Sequence, residues 1–177
     1  MGRRSDFKRS PKDLYCTTDP RAIPAQLVRE IRGKTYAEPC YGVGDLEDLL
    51  MDVATCKWRS DVESRVDCCV QMSALDLAQE HLAGIDLLAT NPPWTRSLLH
   101  PMIEHFSNLR PTWLLFDAGW LFTKQAAPYL PRLRKVIALP RLKWIKDSPY
   151  SAKDDCCWYL FDKPSEGHTI EFYGSGG

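Results

Sequence analysis

The chain has 177 residues with 23 basic and 23 acidic side chains, so its formal net charge is zero, and 44% of its residues are hydrophobic. That length suits one domain with one sizeable core, and the neutral total excludes a global electrostatic pull toward nucleic acid or membrane. No apolar run approaches the ~18–20 residues of a membrane span, and the polar, basic N-terminus lacks the apolar centre of a secretory signal, so the chain reads as a cytoplasmic protein.

Residues 1–12 form a basic arm, with Arg3, Arg4, Lys8, Arg9 and Lys12, and are expected to be flexible. A single domain is expected over 13–170, followed by a flexible Gly-Ser tail over 171–177 whose first residues can add an edge strand. Within the domain, Ala22, Ile23, Leu27, Val28 and Ile31 form a helical apolar face. Thr18 or Asp19 is its N-cap, Pro20 its first turn and Gly33 its end. "KTYAEPCYGVGDLEDLLMDVA" then reads as a short strand, a glycine turn and a helix. Further strands are expected in 57–64, in 67–77 and in the apolar "IDLLAT" of 85–90, the last covered on both faces. A helix interrupted by a proline follows over 96–109, then strands in 112–122, 135–139 and 156–163. Strands alternating with helices predict a doubly wound α/β domain with a mostly parallel sheet. In such folds ligands bind beyond the carboxyl ends of the strands, so the loops after each strand are where chemistry is expected. The seven cysteines form no C-x-x-C pair and read as reduced, mostly buried thiols, with no metal site.

Four of those loops carry candidates. In "EPCYGVGDL", Gly42 and Gly44 permit a tight turn and close approach of a ligand to the backbone. An ordinary glycine turn has the same form, and both the third glycine of a dinucleotide fingerprint and the lysine of a P-loop are absent. Glu38, Asp45 and Glu47 surround this turn with negative charge, which repels a pyrophosphate and suits a cationic or hydroxyl-rich ligand. Asp61 stands about 20 residues beyond the glycines at the end of the next strand, where a carboxylate accepts from ribose hydroxyls; a solvated acid is the alternative. Asp76 ends the third strand and is a candidate acceptor for an adenine amino group. Asn91-Pro92-Pro93-Trp94 ends the fourth. Its two prolines remove two backbone donors and hold Asn91 extended. The result is a rigid platform offering the Asn91 side-chain carbonyl, the Pro92 carbonyl and an indole, which suits a flat heterocycle with an exocyclic amino group. Stacking on Trp94 would contribute ~1–3 kcal/mol. A capped turn with a core tryptophan is the alternative.

Taken in order, these motifs resemble the class I S-adenosylmethionine-dependent methyltransferases, in particular the amino-methylating group with a D/N/S-P-P-Y/F/W signature. Within it the chain is most similar to the N6-adenine DNA methyltransferases of the short kind carried by phages and mobile elements. The resemblance runs from about residue 13 to 163. It implies a Rossmann-like, mostly parallel seven-stranded sheet whose last strand, "DDCCWYLFDK", is antiparallel. It implies that Tyr15 and Thr17 close over the methionine end of S-adenosylmethionine, although Thr18 stands where the family usually has proline. It further implies that Glu38, Pro39, Gly42, Gly44 and Asp45 line the methionine part, that Asp61 binds the ribose, and that Asp76 and Leu77 lie at the adenine. Asn91, Pro92, Pro93 and Trp94 would form the catalytic loop, Trp94 being a variant of the commoner Tyr or Phe.

The expected activity is direct in-line methyl transfer to the N6 amino group of adenine in DNA, on a base flipped out or already unpaired. No sequence-recognition domain fits in the chain. Arg141, Lys143, Trp144 and Lys146, after the sixth strand, are the candidate DNA contacts, with a solvated surface loop as the alternative. A homodimer or a partner subunit could supply target recognition. Alternative acceptors are RNA adenine and protein glutamine, and a further alternative is a non-catalytic cofactor-binding subunit.

Overall fold

The computed structural model describes residues 16–144 and 154–175. The basic arm over 1–12, Tyr15 and Lys146 therefore lie outside the described residues. Among the described residues, eight strands form one sheet in the order β3-β2-β1-β4-β5-β7-β6-β8. They are β1 (Thr35–Glu38), β2 (Thr55–Asp61), β3 (Val70–Gln71), β4 (Leu87–Thr90), β5 (Thr112–Asp117), β6 (Leu133–Ala138), β7 (Cys156–Phe161) and β8 (Glu171–Tyr173). Every neighbouring pair is parallel except those of β7, which runs antiparallel between β5 and β6. The expected seven strands with an antiparallel last one are thus present, and Glu171–Tyr173 adds an eighth, parallel to β6, where the sequence boundary had placed the start of a tail.

Alternation along the strands divides the apolar residues between the two faces of the sheet. Ala37, Leu88, Leu114, Phe116, Tyr159 and Phe161 join one core with Leu99, Met102, Ile103 and Phe106 of α3 (Arg96–Leu109). Tyr36, Leu87, Ala89, Trp113, Leu115 and Trp158 join the other with Leu27 and Ile31 of α1 (Ala25–Ile31) and Leu46 and Leu50 of α2 (Asp45–Leu50). Helices on both faces bury β4 entirely, as its uninterrupted apolar run requires.

Local chemistry shifted several boundaries. The helix read from Ala22 is divided: Pro20–Ala22 is a 3₁₀ turn capped by Asp19, and α1 starts after Pro24, whose missing N–H and fixed φ suit a helix start. The third strand shrinks to two exposed residues, because "SALDL" closes instead into a 3₁₀ turn over Ala74–Asp76 capped by the Ser73 hydroxyl. The connections over Gln79–Leu82 and Lys124–Arg132 are 3₁₀, the latter interrupted by Pro128 and Pro131.

Candidate active site

The carboxyl ends of β1, β2, β3 and β4 open into one cleft of about 510 Å³. Thr17, Glu38, Pro39, Gly42, Asp45, Asp61, Asn91, Pro92 and Pro93 all line it, so residues up to 76 positions apart in sequence converge on one volume. Gly44, Asp76, Leu77 and Trp94 do not line it.

The floor is built by the β1 exit. Glu38 ends β1 with only 1% of its surface exposed, and its Oε2 has no hydrogen-bond partner among the described residues. Burial raises its pKa well above the ordinary carboxylate range, and the charges of Glu47, Asp45 and Asp61 add to this against the opposing Arg59. A buried acceptor left without a donor costs ~1–3 kcal/mol, so its place in a cleft points to a donor brought by a ligand. The glycine turn follows, with Gly42 at φ +61° and Gly44 at φ +97°. A Cβ on Gly44 would come within 2.6 Å of the Tyr41 hydroxyl, which donates to Glu47 Oε2 at 2.9 Å. Gly44 therefore shapes the turn and starts α2 rather than lining the cleft.

Glu47 departs from the expected ring of negative charge. Arg59 grips it through both Nε, at 2.6 Å to Oε2, and Nη2, and this pairing lowers its pKa. The charge that remains in the cleft comes from Asp45, Asp61 and Glu63, with Arg65 paired to Glu63 at 3.1 Å, while burial favours the neutral form of Glu38. An acidic lining of this kind suits a cationic ligand.

Asp61 ends β2 and ties the first two loops together. Its Oδ2 accepts from the Gly42 N–H at 2.9 Å and its Oδ1 from the Glu63 N–H at 2.9 Å. Each carboxylate oxygen keeps a further lone pair for a hydroxyl donor. The third loop differs from the sequence expectation. Asp76 is exposed at the end of the 3₁₀ turn and Leu77 is buried in the core. The tightening of "SALDL" brings Ser73, Ala74 and Leu75 to the cleft in their place. Val62 and Leu75 also line it, with 71% and 38% of their surfaces exposed, as do Leu98 and Met102 of α3. These apolar groups were missed in the sequence. An exposed valine directly after an acidic strand end was the available signal.

On the opposite wall Asn91 follows β4. Its Nδ2 donates to Thr17 Oγ1 at 3.1 Å, and its Oδ1 accepts from Trp94 Nε1 at 3.1 Å. The same indole N–H reaches Leu115 O at 3.2 Å. Trp94 packs against both cores and meets Trp144 edge-on, with centroids 5.6 Å apart. Asn91, Pro92 and Pro93 therefore face the cleft, whereas the indole is engaged with the protein. Cys40 lines the cleft, but burial and the charge of Asp61 push its thiol up, which disfavours a nucleophilic thiolate. Of the candidate nucleic-acid residues, Arg141 pairs with Asp155 at 3.0 Å, and the Lys143 backbone donates to Asp19 Oδ2 at 2.9 Å. No helix among the described residues is long and apolar enough to cross a membrane.

No protein-family model and no curated protein sequence matches the chain. Solved structures do. The type IIG restriction endonuclease BpuSI matches over 95% of this chain and 28% of its own, with a TM-score of 0.64 and 12% identity. The M protein of the type I restriction enzyme EcoKI matches over 93% of this chain and 49% of its own, with a TM-score of 0.52 and 12% identity. The E. cuniculi Mtq2–Trm112 complex, which methylates the translation termination factor eRF1, matches over 82% of this chain and 94% of its own, with a TM-score of 0.52 and 14% identity. The chain thus spans about a quarter and a half of the two restriction-enzyme chains. With its sheet order, its antiparallel β7 and a cleft at the carboxyl ends of the first strands, it has the Rossmann-like fold of the methyltransferases.

Proposed function

We propose that the chain is an S-adenosylmethionine-dependent methyltransferase acting on the N6 amino group of adenine in DNA. The observation that carries this reading is the Asn91 amide, held by Thr17 and Trp94 on a Pro-Pro platform at the wall of an acidic cleft. The cleft fits the cofactor in size, since pockets for ligands of this class run ~300–1,000 Å³, and in chemistry. Glu38, with its unpartnered Oε2, would receive the ammonium of the methionine part. Asp61 would accept from the ribose hydroxyls, and Val62, Leu75 and Ser73 would surround the adenine in the place foreseen for Asp76 and Leu77. Bound there, S-adenosylmethionine would supply an electrophilic methyl group on a sulfonium.

The chain's own part is to bind and to orient. The amino lone pair of adenine is delocalised into its ring and is a weak nucleophile. A carbonyl oxygen such as Asn91 Oδ1 has two lone pairs, and one faces the indole N–H. The Asn91 side-chain carbonyl and the Pro92 carbonyl would accept the two amino hydrogens, turning the nitrogen lone pair toward the cleft. Positioning and stabilisation of the positive charge developing on nitrogen then lower the barrier, and the proton leaves to water. A base inside a duplex does not reach this wall, so the target would be unpaired or flipped out. Contact with DNA is assigned to the segment that begins at Arg141, Lys143 and Trp144, with a second copy or a partner subunit completing target recognition.

The test uses purified protein, methyl-labelled S-adenosylmethionine, and oligonucleotides carrying adenine paired, mismatched or single-stranded, with RNA and a glutamine-containing peptide alongside. The expected result is label in N6-methyladenine, greater on unpaired than on paired DNA. Label only in RNA or only in the peptide overturns the DNA assignment, and no label in any acceptor overturns the enzymatic one.

A further inference from the structure

We propose that Phe122 is the stacking contact for an unpaired base of the acceptor DNA strand, and that Arg96 and Lys124 beside it meet the strand's phosphates. This rests on the reading of the chain as a DNA methyltransferase, and it places the strand on the turn that leaves β5.

Topology comes first. β4, β5 and β6 point the same way, so the turns that leave them emerge at one edge of the sheet, the edge that holds Asn91. The cleft lies over the ends of β1 to β4. An acceptor whose amino group reaches Asn91 therefore has the ends of β5 and β6 for the rest of its length. Charge divides the same way. Asp45, Asp61 and Glu63 line the cleft against one cation among the described residues, Arg65. In the turns over 91–96, 118–124 and 139–144 the charged side chains are Arg96, Lys124, Arg141 and Lys143, with no acid among them. Of the bordering acids, Asp117 accepts from the Gly119 N–H at 2.9 Å, and Asp154 and Asp155 lead into β7, where Asp155 pairs with Arg141 at 3.0 Å. A chain of zero net charge thus gathers cations where a polyanion would arrive.

Phe122 stands among these cations. It ends the 3₁₀ turn Ala118–Phe122, and 87% of its surface is exposed, more than for any other large apolar side chain among the described residues. One exposed apolar residue needs no explanation by itself, but this one is displayed by a turn pinned on both sides. Before it, Trp120 is buried and its indole N–H donates to His100 Nε2 at 3.0 Å. After it, the Thr123 hydroxyl donates to Trp120 O at 2.8 Å and accepts from Arg96 Nη1 at 3.4 Å, which brings the guanidinium to the residue next to Phe122. Lys124 follows, exposed. An aromatic face held still between two cations suits a single strand, whose base stacks on the ring while its backbone meets the charges. An unpaired strand is also what the proposed reaction requires.

The test reads Kd for a labelled single-stranded DNA oligonucleotide by fluorescence anisotropy, with KM for the same DNA alongside. Phe122→Ala should raise both by about 5–100-fold, the scale of one lost base stack, with the salt dependence of binding and Kd for S-adenosylhomocysteine unchanged. Phe122→Leu keeps an apolar side chain without an aromatic face and should lose as much, whereas Phe122→Trp should bind at least as tightly as wild type. Lys124→Ala should lower the slope of log Kd against log salt by about 0.7, the share of one phosphate in a single strand. An unchanged Kd in Phe122→Ala, a Phe122→Leu protein that binds like wild type, or a wild type that binds no DNA overturns the proposal. So does tighter binding of RNA of the same sequence, or a Phe122→Ala defect confined to a glutamine-containing peptide. A wild type that methylates DNA, with Phe122→Ala unaltered, removes this proposal alone. A wild type that holds DNA through Phe122 but transfers no methyl group leaves the contact standing and removes the enzymatic reading alone.

Discussion

Glu38→Gln separates the two roles that the structure gives to this buried acid. Glu38 is fully buried with its pKa raised well above 4.5 by desolvation, and the nearby charges of Glu47, Asp45 and Asp61 add to the shift. In the unfolded chain it would ionise near 4.5. Between those two values the folded protein holds a proton that the unfolded chain has lost, so stability falls as pH rises. The slope over that window is up to about 1.4 kcal/mol per pH unit, or roughly 3–6 °C of Tm per unit for a domain of this size. Below pH 4.5 the term vanishes. Glutamine cannot ionise, so the Tm of the variant relative to wild type should climb between about pH 5 and pH 8. S-adenosylhomocysteine, which carries the ammonium without the sulfonium, should reverse the ranking. It supplies the donor that Glu38 Oε2 lacks, and it should stabilise wild type more than the variant, increasingly so toward pH 8. The assay is thermal unfolding across pH with and without that ligand. Parallel Tm curves for the two proteins would refute the raised pKa, and equal stabilisation of both by the ligand would remove Glu38 from the cofactor site.

Three further outcomes follow from the same geometry. Asp61→Ala should weaken S-adenosylmethionine binding by about 1.5–3 kcal/mol, the scale of hydrogen bonds to a charged group, as read by calorimetry; an unchanged Kd excludes Asp61 from the site. Gly44→Ala forces a left-handed residue and drives Cβ to 2.6 Å from the Tyr41 hydroxyl, so it should destabilise by about 1–3 kcal/mol in denaturant unfolding, whereas an unaltered midpoint would mean that the turn relaxes freely. Arg59→Met removes the cation that pairs with Glu47 beside Glu38 and should steepen the loss of stability with rising pH, which the same melts would show; a slope equal to wild type would mean that solvent already screens Glu47.

The strands that are buried on both faces were legible because nothing but continuous apolar sequence satisfies such a position. "IDLLAT" and "TWLLF" read directly as β4 and β5. Two cleft residues on strand ends were legible by position: Glu38 stands between a short strand and a glycine turn, and Asp61 ends the next strand about 20 residues beyond the glycines. What escaped was governed by short-range competition. Ser73 caps its own turn and shortens β3, which moves Asp76 out to solvent and brings Leu75 in. Pro24 ends one turn and starts a helix where periodicity alone joined them. The direction of Trp94 was also beyond the sequence, since it depends on where the β4–β5 ladder stops and leaves Leu115 O within reach of the indole. Glu47 looked like part of the site because its partner, Arg59, is brought near only by the parallel pairing of β1 with β2.

The central claim is that Asn91 presents an adenine amino group for methylation. Its most direct test is nucleoside mass spectrometry on DNA from cells that lack adenine methylation of their own, expressing either this protein or its Asn91→Ala variant. The expected result is N6-methyladenine with the wild-type protein and none with the variant, while both purified proteins bind S-adenosylmethionine with similar affinity. No methylated adenine with a wild-type protein that is folded and binds the cofactor, or equal amounts with both proteins, would contradict it.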